Sequence, residues 1–529
     1  MSQPSTPSRL HRSLPVAAVL LAVVTILALA ASTMSSPAPS EDPLTVSATA
    51  QAPVESPGDE RPNIILFSTD DQRLDEMVFL PKTNELIGAA GLTFTEALTP
   101  HPLCCPARAE LMTGQLAQNN GVRTNFPPQG GYEAFDPTST IGTDLSAAGY
   151  NTAFLGKPLN GYHYSYGRDP GWTLFNATSH GYADYYKFVQ YDNGEVARIP
   201  GYYTDYLSEK AVEYAHQLSS YDAPFFMWVS HFGPHPAKGR EGCHDSSCKN
   251  GPPKMSPGYR AMTRLTGQRP HEAQAAELAR DIVSSPSFNE RDVSDKPHVI
   301  RKQSPAAARK VVRTQQARAG ALASVDDALA QLVEQLEEDG ELDNTYIVFI
   351  TDNGYQLGEH RWFGKTLPYE ENLRTPMLVR GPGIAPGTTT DSIATIVDLV
   401  PTFLDIADAD SDRLLDGVSL LSTWRGETDE ALHPGGVLIQ GGAYKPETGP
   451  RGWLYRGVRT ARYTYVRYFD GFVELYDRAS DPDQLRSVAG QPRYRALQAE
   501  LARRTRLLQD CAGPGPCNRT FGPLPHLGR

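Results

Sequence analysis

The chain has 529 residues, of which 40% are hydrophobic and 21% are charged, a balance typical of a globular protein long enough for a large domain and a smaller one. Its formal net charge of -12 disfavours nucleic acid or an acidic membrane surface as the main partner. An anionic substrate would therefore have to be held by a few well-placed cations.

The N-terminus has the pattern of a targeting segment. Basic residues at 9–12 precede an apolar run over residues 14–31, and small residues follow it, which predicts a signal peptide over 1–33 and a secreted or extracytoplasmic protein. The run is near the lower length limit for a membrane span, so an uncleaved signal anchor that holds the protein on a membrane is the alternative. Residues 34–60 are rich in Pro, Ser, Ala and acids and predict a disordered linker.

Apolar runs bounded by turn residues predict five strands after this linker. They cover residues 63–68, 152–155, 224–230, 345–351 and 376–380. Helical stretches lie between them, the clearest over residues 306–338. Apolar strands that alternate with helices predict an α/β fold over residues 61–430, with a mostly parallel or mixed central sheet between helical layers.

Four of these strands are followed by polar residues. Asp70 and Asp71 follow the first strand, Lys157 the second, His231 and His235 the third, and Asp352 and Asn353 the fourth. Open α/β sheets bind ligands at the carboxyl ends of their strands, so we expect these side chains to share one site. His231 is closest to its strand and is expected to be structural.

Residues 237–310 are polar and interrupt the strand pattern, which predicts an insertion near the mouth of the site. Cys243 and Cys248 flank a short loop there, and Cys511 and Cys517 flank another near the C-terminus. Each pair predicts a small disulfide, as in an oxidising compartment. Zinc binding is the alternative, although neither pair has neighbouring His and Cys at convincing ligand spacing.

The character of the sequence changes at about residue 430. Short apolar runs predict an antiparallel sheet, and a helical stretch follows them. The runs cover residues 435–440, 457–459, 463–466 and 472–476, and the helix covers 492–508. We expect a smaller α+β domain over residues 431–529.

Cys104-Cys105-Pro106-Ala107-Arg108 begins another helical segment. Pro106 suits a first helical position, good helix formers follow it, and Gly114 is a plausible stop, so Cys104 should lie just before a helix N-terminus. Free N–H groups and the helix dipole favour an anion at that point. The alternative is a vicinal cysteine pair buried as small apolar residues, with Arg108 in a surface ion pair.

Asp70, Asp71, Asp352 and Asn353 offer only oxygen donors, the set that calcium or magnesium prefers. Each has a local alternative, because Asp70 or Asp71 could cap a helix and Asn353 could begin a tight turn with Gly354. Their shared position after strands favours a metal site.

The segment from Cys104 to Gly114 resembles the one that sulfatases use to make their own nucleophile. In that family a formylglycine-generating enzyme oxidises the first Cys of C-x-P-x-R to formylglycine. The commonest motif has Ser where this chain has Ala107, but the modifying enzyme chiefly needs the Cys, Pro and Arg. The resemblance extends over about residues 61–485 and implies an alkaline phosphatase-like fold.

The resemblance also implies roles for individual residues. The calcium ligands, with magnesium as a possible replacement ion, would be Asp70, Asp71, the modified Cys104, Asp352 and Asn353. Lys157 matches the lysine of the family's Gly-Lys motif, which contacts the nucleophile and sulfate, and Lys365 in Gly-Lys-Thr-Leu-Pro-Tyr-Glu matches the second sulfate-binding lysine. His235 in Gly-Pro-His-Pro resembles the histidine that binds sulfate and protonates the leaving group, and His360 in Gly-Glu-His matches a histidine of many bacterial sulfatases.

The motif Gly156-Lys157-Pro158-Leu159-Asn160 looks most like that of N-acetylglucosamine-6-sulfatases. Arylsulfatases often carry His two positions after the lysine, where this chain has Leu159. The substrate implied is a sulfated small molecule or oligosaccharide. The 237–310 insertion is a candidate surface for contacting the sugar, and a variable loop with no substrate role is the alternative.

The implied reaction is covalent catalysis by the hydrated aldehyde at position 104. The metal, Arg108 and Lys157 would lower the pKa of one hydroxyl, which attacks sulfur, while His235 protonates the departing alcohol. The second hydroxyl then loses its proton, the aldehyde re-forms and sulfate leaves. A phosphonate or phosphate ester hydrolase is the nearest alternative; a non-catalytic carbohydrate-binding or metal-binding relative would be expected to lack one of these residues.

Overall fold

The computed structural model of the chain describes residues 52–181, 184–238, 250–442 and 452–527. The strands in these ranges are β1 (Asn63–Thr69), β2 (Leu92–Phe94), β3 (Ala97–Leu98), β4 (Asn151–Gly156), β5 (Leu174–Thr178), β6 (Tyr186–Asp192), β7 (Glu195–Tyr202), β8 (Phe225–Ser230), β9 (Ala237–Lys238), β10 (Asn250–Gly251), β11 (Thr345–Thr351), β12 (Gln356–Leu357), β13 (Phe363–Gly364), β14 (Met377–Arg380), β15 (Thr388–Thr390), β16 (Ala394–Thr395), β17 (Val437–Gly442), β18 (Trp453–Arg459), β19 (Tyr463–Tyr468) and β20 (Val473–Asp477).

The α-helices in the same ranges are α1 (Pro81–Thr83), α2 (Cys104–Thr113), α3 (Ala117–Asn120), α4 (Ile141–Ala147), α5 (Tyr203–Ser219), α6 (Pro257–Thr266), α7 (Glu272–Ser284), α8 (His298–Arg301), α9 (Ala308–Glu338), α10 (Glu370–Leu373), α11 (Leu399–Ile406), α12 (Leu421–Trp424), α13 (Arg495–Leu508) and α14 (Pro514–Cys517). Short 3₁₀ segments occur at Leu74–Phe79, Tyr132–Ala134, Tyr164–Tyr166, Ser179–Gly181, Leu342–Asn344, Ile396–Asp398 and Pro492–Tyr494, and a π-helical segment occurs at Asn84–Ala89.

The predicted mixed sheet is confirmed, and its centre is parallel. Ten strands of the described residues hydrogen-bond in the order β15-β2-β14-β11-β1-β8-β4-β5-β6-β7. The five strands from β11 to β5 are mutually parallel, while β14 on one side and β6 and β7 on the other run antiparallel to their neighbours. Strands β1, β4, β8 and β11 are buried at every position, as strands covered on both faces must be.

Alternate residues of β1 belong to two different hydrophobic cores. Ile64 and Leu66 pack with apolar residues of α2, α4 and α11, whereas Ile65 and Phe67 pack with those of α5 and α9. Because side chains of a strand alternate between the faces of a sheet, the helices form one layer on each side. The predicted three-layer α/β arrangement is therefore confirmed.

The carboxyl ends of the central strands are level with one another. Thr69 at the end of β1 pairs with Thr351 at the end of β11, and Ser230 at the end of β8 pairs with Ser68 on one side and Gly156 on the other. The residues that follow β1, β4, β8 and β11 therefore emerge at one edge of the sheet.

The smaller predicted sheet is also present. Strands β17, β18, β19 and β20 form a separate antiparallel sheet, and α13 packs against it. The predicted helix over 492–508 begins with one 3₁₀ turn before α13. The predicted disulfide between Cys511 and Cys517 is present, with sulfur atoms 2.06 Å apart.

Five strands of the central sheet were not predicted: β2, β5, β6, β7 and β15. Strands β2 and β15 have three residues each, and most positions of β7 face solvent, whereas β5 is buried throughout and β6 is partly buried. The hairpin between β6 and β7 did have a signal, because Asn193 and Gly194 form a two-residue turn with φ of 51° and 108°.

Several predictions fall on residues outside the described ranges. They are the signal peptide over 1–33, the linker up to residue 51, and the pair Cys243 and Cys248. Within the described end of the linker, Val54 exchanges two hydrogen bonds with the Asn151 side chain, of 2.8 and 3.0 Å. The helices found in the described ranges are all too short or too polar to cross a bilayer.

Candidate active site

Helix α2 begins at Cys104 itself, with extended Leu103 as its N-cap, so Cys104 occupies the first turn rather than the residue before it. The helix ends at Gly114, whose φ of 64° lies in the left-handed region that favours glycine, as predicted. Cys104 and Cys105 are both buried free thiols. The Cys105 Sγ accepts a hydrogen bond of 3.1 Å from the Asn160 N–H, whereas Cys104 contacts a different set of groups.

Three carboxylates and three cations surround Cys104, and all are buried. They are Asp70, Asp71 and Asp352, with Arg108, Lys157 and Lys365. We call this set the sheet-edge cluster. The Lys365 ammonium lies 2.7 Å from the Cys104 Sγ and forms an ion pair with Asp71, and the Lys157 ammonium pairs with Asp70. Predicted residues from three strand ends and α2, together with Lys365, are therefore brought into direct contact.

Arg108 connects α2 to the ends of four strands. Its Nε donates to Asp352 at 2.9 Å and its Nη2 to Asp70 at 3.3 Å. Its Nη1 donates to the Lys157 carbonyl and to the Ser230 hydroxyl, both at 2.6 Å. A guanidinium with donors fixed in one plane suits this role, and the surface ion pair considered for Arg108 is wrong, because its side chain is only 1% exposed.

The glycine of the Gly-Lys motif is required by close backbone approach. Gly156 has φ of 105°, and a Cβ placed on it would lie 2.1 Å from the Ser230 carbonyl oxygen. Any other residue would separate β4 from β8 at the point where Lys157 leaves the sheet. This glycine therefore positions the lysine.

The two histidines after β8 have different environments. The His235 Nε2 lies 3.6 Å from Asp71, while its Nδ1 lies 2.8 Å from the Pro236 carbonyl and donates to it. The ring of His231 packs on Phe67, 4.8 Å between centroids, and neither of its nitrogens has a hydrogen-bond partner in the described part of the chain. His235 faces the sheet-edge cluster, and His231 faces the core beneath it.

His360 makes no hydrogen bond or ion pair with the cluster within the described ranges. Its Nδ1 lies 2.7 Å from a Glu290 carboxylate oxygen, and its ring stacks on Tyr369 with centroids 4.1 Å apart. The loop that carries it continues to Lys365. The structure thus places His360 in the support of this loop.

The side chains beside Cys104 fit a metal ion. Ligand atoms of Asp70, Asp71, Cys104 and His235 all lie within 4.8 Å of one another. Asn353 donates to the Asp71 carboxylate at 2.6 Å, but its own Oδ1, although buried, has no hydrogen-bond partner among the described residues. A buried oxygen without a donor beside carboxylates fits a hard divalent cation.

One predicted ligand, Asp352, is held by other groups. One oxygen of Asp352 accepts a hydrogen bond from Arg108, and the other accepts one from the Asp71 N–H at 3.2 Å. Asp352 is not among the four residues, His235 included, whose ligand atoms lie within 4.8 Å of one another. Asp71 itself has φ of 64°, a strained value for a residue with a side chain. Contacts of the loop after β1 keep Asp71 in this backbone conformation.

The charges of the cluster shift the pKa values of its members in opposite directions. Burial opposes ionisation of Asp70, but Lys157, His235 and Arg108 together hold its pKa well below the usual range. Burial, followed by the charge of Asp70, raises the pKa of Asp352 to about 6 and that of the Cys104 thiol to about 11. Burial lowers the pKa of His235 to about 4. An unmodified Cys104 is therefore a protonated thiol at neutral pH, which is a weak nucleophile.

One buried ion pair behind the cluster was not predicted. Arg318, on the buried face of α9, binds both carboxylate oxygens of Glu76, at 2.5 and 2.6 Å. It also donates to the carbonyls of Asp71, at 2.5 Å, and Pro234, at 3.4 Å. It thereby connects the loop after β1 to the loop that carries His235. A charged residue on the apolar face of a helix was the available signal in the sequence.

Comparison with known proteins is consistent with this geometry. The sulfatase family model matches residues 62–409, and a second, described as N-sulphoglucosamine sulphohydrolase, C-terminal, matches residues 358–510. The chain belongs to the sulfatase family. It is a sulfuric ester hydrolase.

Curated relatives resemble this sulfatase over much of its length. It is 30% identical to the N-acetylglucosamine-6-sulfatase of Homo sapiens over 514 residues, which cover 86% of each chain. It is 32% identical to the extracellular sulfatase SULF-1 homolog of Drosophila melanogaster over 382 residues, which cover 69% of this chain and 31% of that longer protein.

Solved structures share the fold. The structure of a protein in complex with its substrate D-glucosamine-2-N,6-O-disulfate superposes with a TM-score of 0.65 at 23% identity, covering 84% of this sulfatase and 97% of that chain. A phosphonate monoester hydrolase from Silicibacter pomeroyi superposes with a TM-score of 0.59 at 22% identity, covering 84% and 94%. At these sequence identities the superpositions show a shared fold and nothing further.

Proposed function

We propose that this sulfatase hydrolyses the sulfate ester of a sulfated sugar, with a 6-sulfated N-acetylglucosamine as the preferred unit. The observation that carries the proposal is the position of Cys104, which lies in the first turn of α2 in contact with Lys365 and beside the paired carboxylates. Two of the similar proteins support this choice of sugar. The human relative is an N-acetylglucosamine-6-sulfatase, and the superposed protein has a 6-O-sulfated glucosamine as its substrate.

The nucleophile that we propose is formylglycine made from Cys104. Once hydrated, it would supply one hydroxyl for attack on sulfur and a second that lets the aldehyde re-form and sulfate leave, an exit that a serine or cysteine adduct lacks. Cys104 suits this change because its neighbours are the groups that an oxygen nucleophile and a sulfate need. The Cys105 Sγ instead accepts a hydrogen bond from the Asn160 N–H.

The metal that we propose is calcium, or magnesium in its place. Asp70, Asp71, Asp352 and Asn353 would hold it together with the modified Cys104, and it would supply a positive charge that polarises the reacting oxygens. His235, whose Nε2 is close to Asp71, is a further neighbour of this position.

Arg108, Lys157 and Lys365 provide the charge that a sulfate ester requires. All three are buried, so their attraction for an anion is weakly screened by solvent. Lys157 and Lys365 are the two whose ammonium groups reach the carboxylates beside Cys104, and they would bind the sulfuryl oxygens. Arg108 holds the ends of β4 and β8 in register while it stabilises negative charge on the nucleophile.

His235 would hold the proton that the departing alcohol needs. Its Nδ1 donates to the Pro236 carbonyl, which leaves the Nε2 directed toward the cluster. Burial disfavours the charged ring, and the negative sulfate ester would favour it again once bound. The proton would then pass from Nε2 to the alcohol oxygen.

We further propose that the enzyme acts outside the cytoplasm. The N-terminal pattern over residues 1–33 and the extracellular sulfatase among its relatives support this location.

Replacing each cysteine separately tests the nucleophile. Cys104→Ala should lower sulfate release by at least about 1,000-fold, whereas Cys105→Ala should keep most of it. Mass analysis of the peptide with both residues should show the aldehyde at position 104. Equal loss in two folded variants, or an unmodified thiol in active enzyme, would overturn the assignment.

The substrate is tested by comparing kcat/KM for N-acetylglucosamine 6-sulfate, an aryl sulfate and an aryl phosphonate. The sulfated sugar should be best, because binding energy from the sugar can lower the barrier only when the sugar is present. If the phosphonate is best, the enzyme is a phosphonate hydrolase of the same fold. If the aryl sulfate is best, only the sugar assignment fails.

A further inference from the structure

Helix α6, within the predicted insertion, exposes its apolar side chains to solvent. Met262 is 52% exposed, and Leu265 is 87% exposed, the largest value for any large hydrophobic side chain that the structure describes. Ala261 is exposed beside them. Positions i, i+1 and i+4 of a helix lie on one face, so these three residues form a single apolar stripe. We call it the α6 stripe.

The opposite face of α6 contacts the rest of the protein, and it does so through polar groups. Tyr259 and Thr263, four residues apart, are half-buried there. The Tyr259 hydroxyl donates to the Asp327 carboxylate at 2.7 Å, and the Ser256 hydroxyl caps the helix by accepting from the Tyr259 N–H at 3.3 Å. An amphipathic surface helix normally turns its apolar face to the core, so α6 has the reverse arrangement.

The stretch around α6 is basic, although the whole chain has a formal net charge of -12. Residues 251–271 contain no Asp or Glu and four cations, which are Lys254, Arg260, Arg264 and Arg269. Lys254 has an ion-pair partner, whereas the three arginines form no ion pair with any residue that the structure describes. Arg260 lies over the Tyr186 ring, 4.9 Å from its centroid, and Arg269 donates to a neutral side-chain amide at 3.3 Å. The positive charge beside the α6 stripe is therefore not neutralised.

An exposed apolar stripe beside unpaired cations is complementary to an anionic lipid surface. The apolar side chains would enter the boundary between headgroups and acyl chains, and the arginines would contact lipid phosphates. A stripe of three side chains is too small for a lasting protein interface, which buries about 1,200 Å² or more. A membrane contact adds to any other attachment, so a short helix is sufficient. An N-terminal anchor over residues 14–31 would be one such attachment.

We propose that α6 is a membrane-contacting helix, which lies in the plane of an anionic bilayer surface. Met262 and Leu265 enter the bilayer boundary, and Arg264 and Arg269 lie among the headgroups. The polar face of α6 stays on the protein, because the contacts of Tyr259 and Ser256 fix the helix before any lipid is present. The proposal is independent of which sulfate ester the enzyme hydrolyses.

A local probe tests the insertion. Full-length Leu265→Trp is mixed with vesicles of phosphatidylcholine and brominated phosphatidylglycerol in equal parts, and wild-type fluorescence, from five tryptophans, is subtracted. Leu414→Trp is the matched control, because Leu414 is 59% exposed outside α6. Bromine should quench the probe at position 265 at least about twofold more than the one at 414, since only a side chain at the acyl boundary meets it. Quenching no greater than at position 414 would overturn the proposal.

Vesicle co-sedimentation measures what the stripe and its charge contribute. Replacing Met262 and Leu265 together by Ser should weaken binding to the mixed vesicles about tenfold, because two apolar side chains then stay in water. Arg264→Gln should weaken it about fivefold, the effect of one cation near an anionic surface. Arg486→Gln is the control for charge, because Arg486 is exposed in another part of the chain. All variants keep residues 1–51, so the differences between them arise from the substituted side chains.

The substituted side chains project into solvent, so thermal unfolding and sulfate release from N-acetylglucosamine 6-sulfate should stay at wild-type values within about twofold. Wild-type protein that binds vesicles of phosphatidylcholine alone equally well would contradict an anionic surface. A dimer that separates when Met262 and Leu265 are replaced by Ser, without quenching at position 265, would show that the α6 stripe is a protein interface and that the membrane proposal is wrong.

Discussion

Two buried carboxylates of this sulfatase are stabilised in opposite ways. Asp70, at the edge of the central sheet, has Lys157 and Arg108 as ion-pair partners. Glu474, in β20 of the small sheet, instead accepts hydrogen bonds from three tyrosine hydroxyls, at 2.5 to 2.9 Å. The donors are Tyr369, Tyr468 and Tyr476, and we call this arrangement the tyrosine cage.

The consequence is that the pKa values of the two carboxyl groups shift in opposite directions. The cations at Asp70 hold its pKa below the usual range despite burial, whereas burial raises the pKa of Glu474 and the hydroxyls only oppose the rise. Neutral donors suffice to hold two elements together, and the cage joins the loop before α10 to the small sheet. Paired ions cost more to bury, so their presence at the sheet edge indicates a site for charged chemistry.

The largest expected effect distinguishes the two carboxylates by activity. Asp70→Asn should lower kcat/KM on the order of 1,000-fold, because it removes the partner of Lys157 and a predicted metal ligand. Glu474→Gln, the matched change in the cage, should stay within about threefold. Similar losses in both folded variants would contradict the distinction. Steady-state sulfate release measures it.

Metal removal should affect only the sheet edge. Exhaustive chelation should lower activity at least about 100-fold, and calcium or magnesium should restore it better than zinc, because the predicted ligands are hard oxygen donors. On chelation the Glu474→Gln variant should lose activity as wild type does, while the Asp70→Asn variant should lose little of the activity that it still has. Full activity of chelated wild-type enzyme would exclude the metal from the mechanism.

Replacing Arg318 tests whether its contacts with Glu76 and the Asp71 carbonyl position the residues of the sheet-edge cluster. Arg318→Met should lower kcat/KM about tenfold and destabilise the fold by about 3–5 kcal/mol, because Glu76 is left as an unpaired buried charge. Adding Glu76→Leu removes that charge and should recover most of the stability without recovering the activity. Recovery of both would show that Arg318 serves only the fold. Urea unfolding and kcat/KM give the two readouts.

The smallest expected effect is a pH dependence of stability from the tyrosine cage. The pKa of Glu474 is raised above its ordinary value of 4.5, so its contribution to stability is present below about pH 4.5 and is lost as the pH rises through the folded-state value. Glu474→Gln should therefore be less stable than wild type by about 1–3 kcal/mol at acidic pH, and the difference should shrink toward pH 8. A difference that grows with pH would contradict the assignment; urea unfolding between pH 4.5 and 8 measures it.

Prediction from sequence succeeded where local chemistry decides structure. Continuous apolar runs predicted β1, β4, β8, β11 and β14 to within two residues at each end, since a strand covered on both faces must be apolar throughout. It failed for β6 and β7, which contain no continuous apolar run and whose pairing is supplied by a hairpin partner. Whether these segments form strands depends on the strands with which they pair, and the hydrophobic periodicity of a segment carries no information about its partners.

The candidate site shows the same limit. Most of its motif residues could be named from their position after a strand or in the helix that begins at Cys104, whereas Lys365 was named only from the resemblance to sulfatases. Arg318 and Ser230 act through ion-pair, backbone and hydroxyl contacts that no motif contains. The roles of His235 and His360 likewise stay predictions, although only His235 is brought to the cluster.

By itself the sequence determined the continuously apolar strands, the existence of a helix at the Cys104 motif and the residue types needed for sulfate chemistry, because these follow from hydrophobic periodicity and side-chain chemistry. Only the tertiary structure decided which of these groups meet. Lys365 reaches Asp71 across 294 positions of the chain, and Arg318 reaches it across 247, because parallel strands end at one edge and a long helix crosses beneath them. Contacts at that separation depend on the packing of whole layers, which local sequence does not specify.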